Sequence, residues 1–334
     1  MSPKFPLLPS LLSVLAFVCP ALHADLVLAD HDLQMGRVEE TTALARSWLA
    51  QHPSDPDAHL LLCRAFYAQD MADSAVQECE AAAASVPGSS NVQLWLGRAF
   101  GMKASSANPL LAFSLARKVR DAFERSLSLD PANVSAMIDL GELYVAAPPV
   151  VGGGSSKARS LATKPQALNQ PAGTSQGHRI LALLAEKNNN LRIAEAEFRR
   201  AAQSNSASAW IAAPWIDLGA FYARHQQPDP VAIAVRNGLN LDKLRGATLV
   251  DAASILTAAA RDPDLARRVL RQYLASPARS DASPAFKVHL QLGDLLARSA
   301  DLPSARKEYA AALALAPSFP PARRLALSQQ PVSR

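Results

Sequence analysis

Residues 289–317, HLQLGDLLARSADLPSARKEYAAALALAP, decide the fold. Small residues (Gly293, Ala305, Ala312) alternate with bulky ones (Leu292, Leu296, Tyr309), and Pro317 closes the segment. Apolar residues return every three or four positions on either side of the polar break SADLPS. The stretch therefore reads as two amphipathic helices joined by a short turn, with a proline after the second.

The same order recurs in HPSDPDAHLLLCRAFYAQDMADSAVQECEAAAASVPGSSN, residues 52–91, through Leu62, Cys63, Phe66, Ala75, Cys79 and Ala82. Pro53 and Pro87 lie 34 residues apart. Trp215, Leu218, Gly219 and Tyr222 reproduce the first half, and Leu181, Ala182, Ala194, Phe198 and Ala201 supply another unit. This order resembles the tetratricopeptide repeat family. Its pattern places a large residue at position 4, Leu at 7, small residues at 8, 20 and 27, aromatics at 11 and 24, and Pro at 32. Leu292, Gly293, Leu296, Ala305, Tyr309, Ala312 and Pro317 fill positions 7, 8, 11, 20, 24, 27 and 32 without a gap. The resemblance implies an all-α fold, a right-handed superhelical solenoid of helical hairpins, because one hairpin cannot bury its apolar face alone.

The array is expected over residues 25–327 as about eight units, followed by a disordered tail at 328–334. The third and fourth units are enlarged: Phe100 to Val119 and Tyr144 to Ala158 replace the regular spacing of nine with 19 and 14 residues. The unit near residues 243–277 is degenerate, with Ala266, Leu270 and Pro277 fitting loosely.

Residues 1–24 have the layout of a secretory signal peptide: Lys4, an apolar run from Leu7 to Val18, and small residues at Ala21 and Ala24. The run is too short to span a bilayer. An exported bacterial protein, periplasmic or secreted and without stable membrane insertion after cleavage, is expected. Cleavage after Ala24 removes Lys4 and takes the net charge from +5 to +4. No Lys/Arg run exceeds two residues, which argues against a nucleic-acid partner. Cys63 and Cys79 are then the two remaining cysteines, at positions 8 and 24 of one hairpin. Either a disulfide or two buried thiols fits, and a Cα separation above about 7 Å would exclude the bond.

Two motifs suggest catalysis. APPVVGGGSSKA, residues 147–158, looks like a phosphate cradle, but no strand precedes it and Ala158 stands where a magnesium-binding hydroxyl belongs. It reads as an enlarged hairpin turn whose second helix Ser155 or Ser156 caps. GTSQGH, Gly173–His178, matches the serine-hydrolase elbow yet also lacks a strand. The histidines show no metal-ligand spacing. No catalytic residue, metal or cofactor is expected.

In the family the concave face is lined by first-helix positions 2, 5, 9, 12 and 13. Carried over, these give groove candidates Arg64, Tyr67, Leu94, Arg98, Arg179, Arg224 and Arg298, with Arg64 and Arg98 stacked along one wall. Guanidinium groups beside Leu and Tyr suit carboxylates and apolar side chains of a protein or peptide partner. The leading expectation is non-catalytic binding through this groove. The competing readings are a scaffold of an envelope or secretion complex using its convex face, and a serine hydrolase.

Overall fold

The computed structural model describes residues 20–164, 171–204 and 212–328, and among these residues it contains helices and turns with no strand. Helices pair in chain order. The first four hairpins are α1 (Pro20–Met35) with α2 (Val38–Leu49), α3 (Pro56–Ala68) with α4 (Ala72–Ser85), α5 (Ser90–Ser105) with α6 (Pro109–Leu129), and α7 (Val134–Ala146) with α8 (Ser155–Ala162). The next four are α9 (Pro171–Lys187) with α10 (Leu191–Ser204), α11 (Ala213–Arg224) with α12 (Pro228–Leu241), α13 (Thr248–Ala258) with α14 (Pro263–Leu274), and α15 (Ala285–Arg298) with α16 (Leu302–Leu315). A last helix, α17 (Pro320–Ser328), packs on α16. Each hairpin buries one face against its neighbours, so the core runs along the whole solenoid.

Asp55 with Pro56, Asn108 with Pro109, and Asp262 with Pro263 start helices in the same way. A carboxylate or amide oxygen caps free backbone N–H groups, and proline occupies the first turn, where no donor is lost. The turns inside the hairpins are more uniform still. Gly36, Asp70, Asn189, Gln226, Ala260 and Ala300 all adopt positive φ. The next N–H reaches five residues back: Arg37 to Asp32, Met71 to Phe66, Asn190 to Ala185, Gln227 to Tyr222, Arg261 to Leu256 and Asp301 to Leu296. This left-handed cap satisfies carbonyls that the helix end leaves free and sets the return angle. It also fixes the register of the degenerate unit, where Ala260 is the turn residue. One extra residue there is absorbed by a second positive φ, at Asp262.

Small residues let the two helices of a hairpin touch. A Cβ on Gly97 would run into the Phe123 ring, and one on Gly293 into the Tyr309 ring. In the second unit the same two positions carry Cys63 and Cys79, joined as a disulfide with a Cα separation of 5.2 Å. Three hairpins carry a further clamp. His59 Nδ1 meets Glu78, His178 meets Glu197 and His289 meets Glu308, each at 2.7 Å and each across 19 residues.

The two enlarged units lie side by side. α6 extends over 21 residues, and Arg117 and Arg120 on it donate to the carbonyls of Val150 and Val151 in the turn between α7 and α8. Pro149–Val151 form a short 3-10 turn, Gly152 takes φ +91 and its missing Cβ leaves room for the Arg120 side chain, and Gly154 takes φ +120. Gly154, not Ser155 or Ser156, is the residue before α8, and no side chain caps that helix. The Gly154 N–H instead bonds Tyr144 O at 2.8 Å.

The array curves until its ends meet. Ala285 at the start of α15 packs against Gly36, leaving a Cβ there only 3.1 Å from the Ala285 Cβ. Lys287 donates to Asp70, and Ser318 donates to Glu39 through both its N–H and its hydroxyl.

Candidate functional site

The first helices of successive units form one wall, and its charges are paired across units. Arg64 on α3 donates through Nη1 to Asp30 on α1 and through Nε to Asp281 in the loop before α15, both at 2.7 Å. Burial pulls Arg64 down, but the two carboxylates outweigh it and leave its pKa above the ordinary arginine value. Arg98 on α5 donates to Asp139 on α7 at 2.6 Å. Burial nevertheless holds Asp139 above the usual carboxylate range.

Arg179 on α9 reaches Glu142 on α7 and Asp217 on α11. Arg224 on α11 grips both oxygens of Glu186 on α9 at 2.9 and 2.8 Å, with His225 on the same carboxylate. Burial raises Glu186, and these two partners more than reverse that. Asp251 on α13 follows Asp217 along the wall without an ion pair among the described residues. Partial loss of hydration on the wall, where the side chain still meets water, and the neighbouring Asp217 carboxylate push it up to about 6.

The wall gathers some of the expected groove residues and withholds others. Arg64 and Arg98 both lie against the Trp95 ring, with guanidinium carbons 5.8 and 5.0 Å from its centre. Tyr67 meets the same ring edge-on at 5.5 Å. Arg179 and Arg224 form the ladder just described. Arg298 is exposed at the end of α15, with no ion pair among the described residues. Leu94 does not line the groove: it is 4% exposed and belongs to the continuous apolar core. Leu60, Ile216 and Leu290 are buried in the same way. Each expected groove arginine except Arg298 already holds a carboxylate of this chain; for Arg64, Arg98 and Arg179, which are largely covered, a charge taken out of water requires such a partner.

Sequence reasoning missed the role of the histidines. His59, His178 and His289 all occupy position 4, and the constant spacing to a glutamate was the available signal. The elbow motif lies within α9, where the Ser175 hydroxyl is buried and donates to Ala201 O at 2.9 Å. A helical serine with its hydroxyl committed to a carbonyl has neither the exposed, strained turn nor the oxyanion donors of that chemistry. Lys157 lies over the Tyr144 ring and 3.4 Å from Glu124, tied to the hairpin. Among the described residues no group of three or more His, Cys, Asp or Glu could hold a metal ion, and no helix is long and apolar enough to cross a membrane.

Residues 24–99 match the tetratricopeptide repeat family model. No curated protein matches the chain. Among solved structures, a thermophilic tetratricopeptide protein of Thermus thermophilus is similar at 18% identity, TM-score 0.44, over 63% of this chain and 99% of that one. A tetratricopeptide repeat protein from Parabacteroides merdae is similar at 10% identity, TM-score 0.41, over 93% and 99%. Cut9 with Hcn1, from the APC/C hetero-tetramer, is similar at 16% identity, TM-score 0.40; the match covers 92% of this chain but 55% of that one. The family-model match covers residues 24–99, and the same helical-hairpin pattern continues beyond it to Pro317.

Proposed function

We propose that the chain is an exported, non-catalytic protein that binds a segment of a protein partner along its first-helix wall. The observation that carries this reading is the cluster in which the partly exposed Arg64, Arg98 and Tyr67 are braced on the buried Trp95 ring. Arginine and aromatic side chains held rigidly beside each other are the residue types that dominate binding energy in protein interfaces. Their own carboxylates fix the guanidinium groups in place, so a partner finds them already oriented. Export is supported by the signal-peptide layout of residues 1–24, and the Cys63–Cys79 disulfide fits an oxidising compartment.

The test is capture of partners from an envelope fraction by the wild type and by Arg64→Glu/Arg98→Glu, read by mass spectrometry. Loss of the recovered proteins supports groove binding; unchanged recovery rejects it. N-terminal sequencing of the cell-derived protein tests the expected cleavage after Ala24.

A scaffold reading is favoured by a different observation. Leu110, Phe113 and Val150 are 87, 37 and 61% exposed on the edge that the enlarged third and fourth units share. If recovery is lost instead on Leu110→Asp/Phe113→Asp, that edge is the contact.

A further inference from the structure

The carboxylate that Arg64 holds through Nε comes from the far end of the chain, 217 residues away. It belongs to Asp281 in the segment SDAS, residues 280–283, so an aspartate among small residues sits against the Arg64–Trp95 cluster. The segment is held from beneath by the buried Tyr273, whose hydroxyl donates to Ser283 O at 2.7 Å and accepts from Ser280 N–H at 3.0 Å. Asp281 is thus presented already ordered, and its side chain is only 10% exposed. Asp30 holds the same guanidinium through Nη1 at 2.7 Å.

The rest of the closure is polar and half wet. Lys287 and Asp70 are 34 and 57% exposed, and Ser318 reaches Glu39 and Gln69 through hydrogen bonds. Beside these, Gly36 seats against the buried Ala285, and Arg279 donates to Met35 Sδ at 2.9 Å. Contacts of this kind resemble the reversible interfaces between domains rather than a core.

We propose that Asp281 is a resident ligand of Arg64 at the edge of the Arg64–Trp95–Arg98 cluster, and that a partner segment carrying an aspartate or glutamate among small residues displaces it and opens the closed array. This rests on the groove reading above and adds its ligand class and its control. An internal ligand competes by lowering the fraction of chains with a free site, and apparent affinity falls by that fraction.

The test uses the mature chain and a fluorescein-labelled decapeptide in which aspartates alternate with serine and alanine, with its asparagine counterpart as control. Closure is read by the zero-length carbodiimide cross-link between Lys287 and Asp70 and by small-angle scattering. Asp281→Asn should weaken the cross-link, enlarge the scattering radius and tighten binding of the acidic peptide roughly tenfold. Lys287→Gln, which leaves both Arg64 and Asp281 in place, should enlarge the radius and tighten binding less. Arg64→Gln and Arg98→Gln should each weaken binding in the Asp281→Asn background.

If the peptide binds wild type and Asp281→Asn equally and the arginine variants still weaken it, the groove reading stands and the gate is overturned. An unchanged cross-link and radius in Asp281→Asn overturn the gate as well. Binding that ignores the arginine variants, or binding by neither form, removes the groove reading together with the gate.

Discussion

Arg64 and Arg179 hold two carboxylates each, yet they belong to different kinds of structure. The partners of Arg179, Glu142 and Asp217, stand on first helices of the preceding and following units. Those of Arg64 come from the first unit and from the loop before the last one. Identical chemistry thus serves as a rung of the wall in one place and as a latch between ends in the other. A rung is set by neighbouring repeats and survives whatever the array does as a whole. A latch exists only if the small rotations of all the intervening hairpins add up correctly.

Four experiments break or sharpen this contrast, in falling order of effect. The Arg64 side rests on the hairpin closed by Cys63–Cys79, a sequence separation of 16, so Cys63→Ala/Cys79→Ala should lower unfolding stability by about 3 kcal/mol in chemical denaturation. Next, Arg179→Met should cost about 2 kcal/mol, since it strands the largely buried Asp217 while the half-exposed Glu142 regains water. Third, raising the salt concentration should open the latch and spare the rungs. The Lys287–Asp70 pair is exposed enough to be screened, and hydrogen exchange should speed up in α1 and α15 but not in α9.

The smallest effect concerns pH. Asp251 is raised to about 6 in the folded chain, so the folded state holds its proton to higher pH than the unfolded chain does. Its contribution is therefore fully present below about pH 4, the ordinary aspartate value, and is lost as pH rises through about 6. Water reaches this side chain, so the loss is modest. Asp251→Asn should flatten the decline of thermal stability between those values, with the slope elsewhere unchanged.

The hairpin plan was legible in the sequence because it depends on local spacing alone. Gly293 against Tyr309, or Cys63 against Cys79, follows from residue types 16 positions apart. The enlarged turn at residues 147–154 was legible for the same reason. The pairing of the wall was not. Whether a groove arginine is free depends on side chains 34 to 217 residues away, and no periodic pattern reports the curvature that brings them together. Leu94 shows the same limit: position within a helix gives its direction, whereas the distance to the next helix decides whether it is covered. The clamps of His59, His178 and His289 lie between these cases. A search for repeated pairs, rather than for metal or triad spacing, would have found them.

A solenoid ordinarily unravels from its ends, since a terminal repeat has one neighbour where every other repeat has two. When Ala285 seats on Gly36 and Ser318 on Glu39, neither end is terminal any longer. Each lends the other the missing neighbour, so fraying at one end becomes fraying at both. Proteolysis, which samples the most open segment, would then start in the middle of the chain in the closed form and at its ends in the open one.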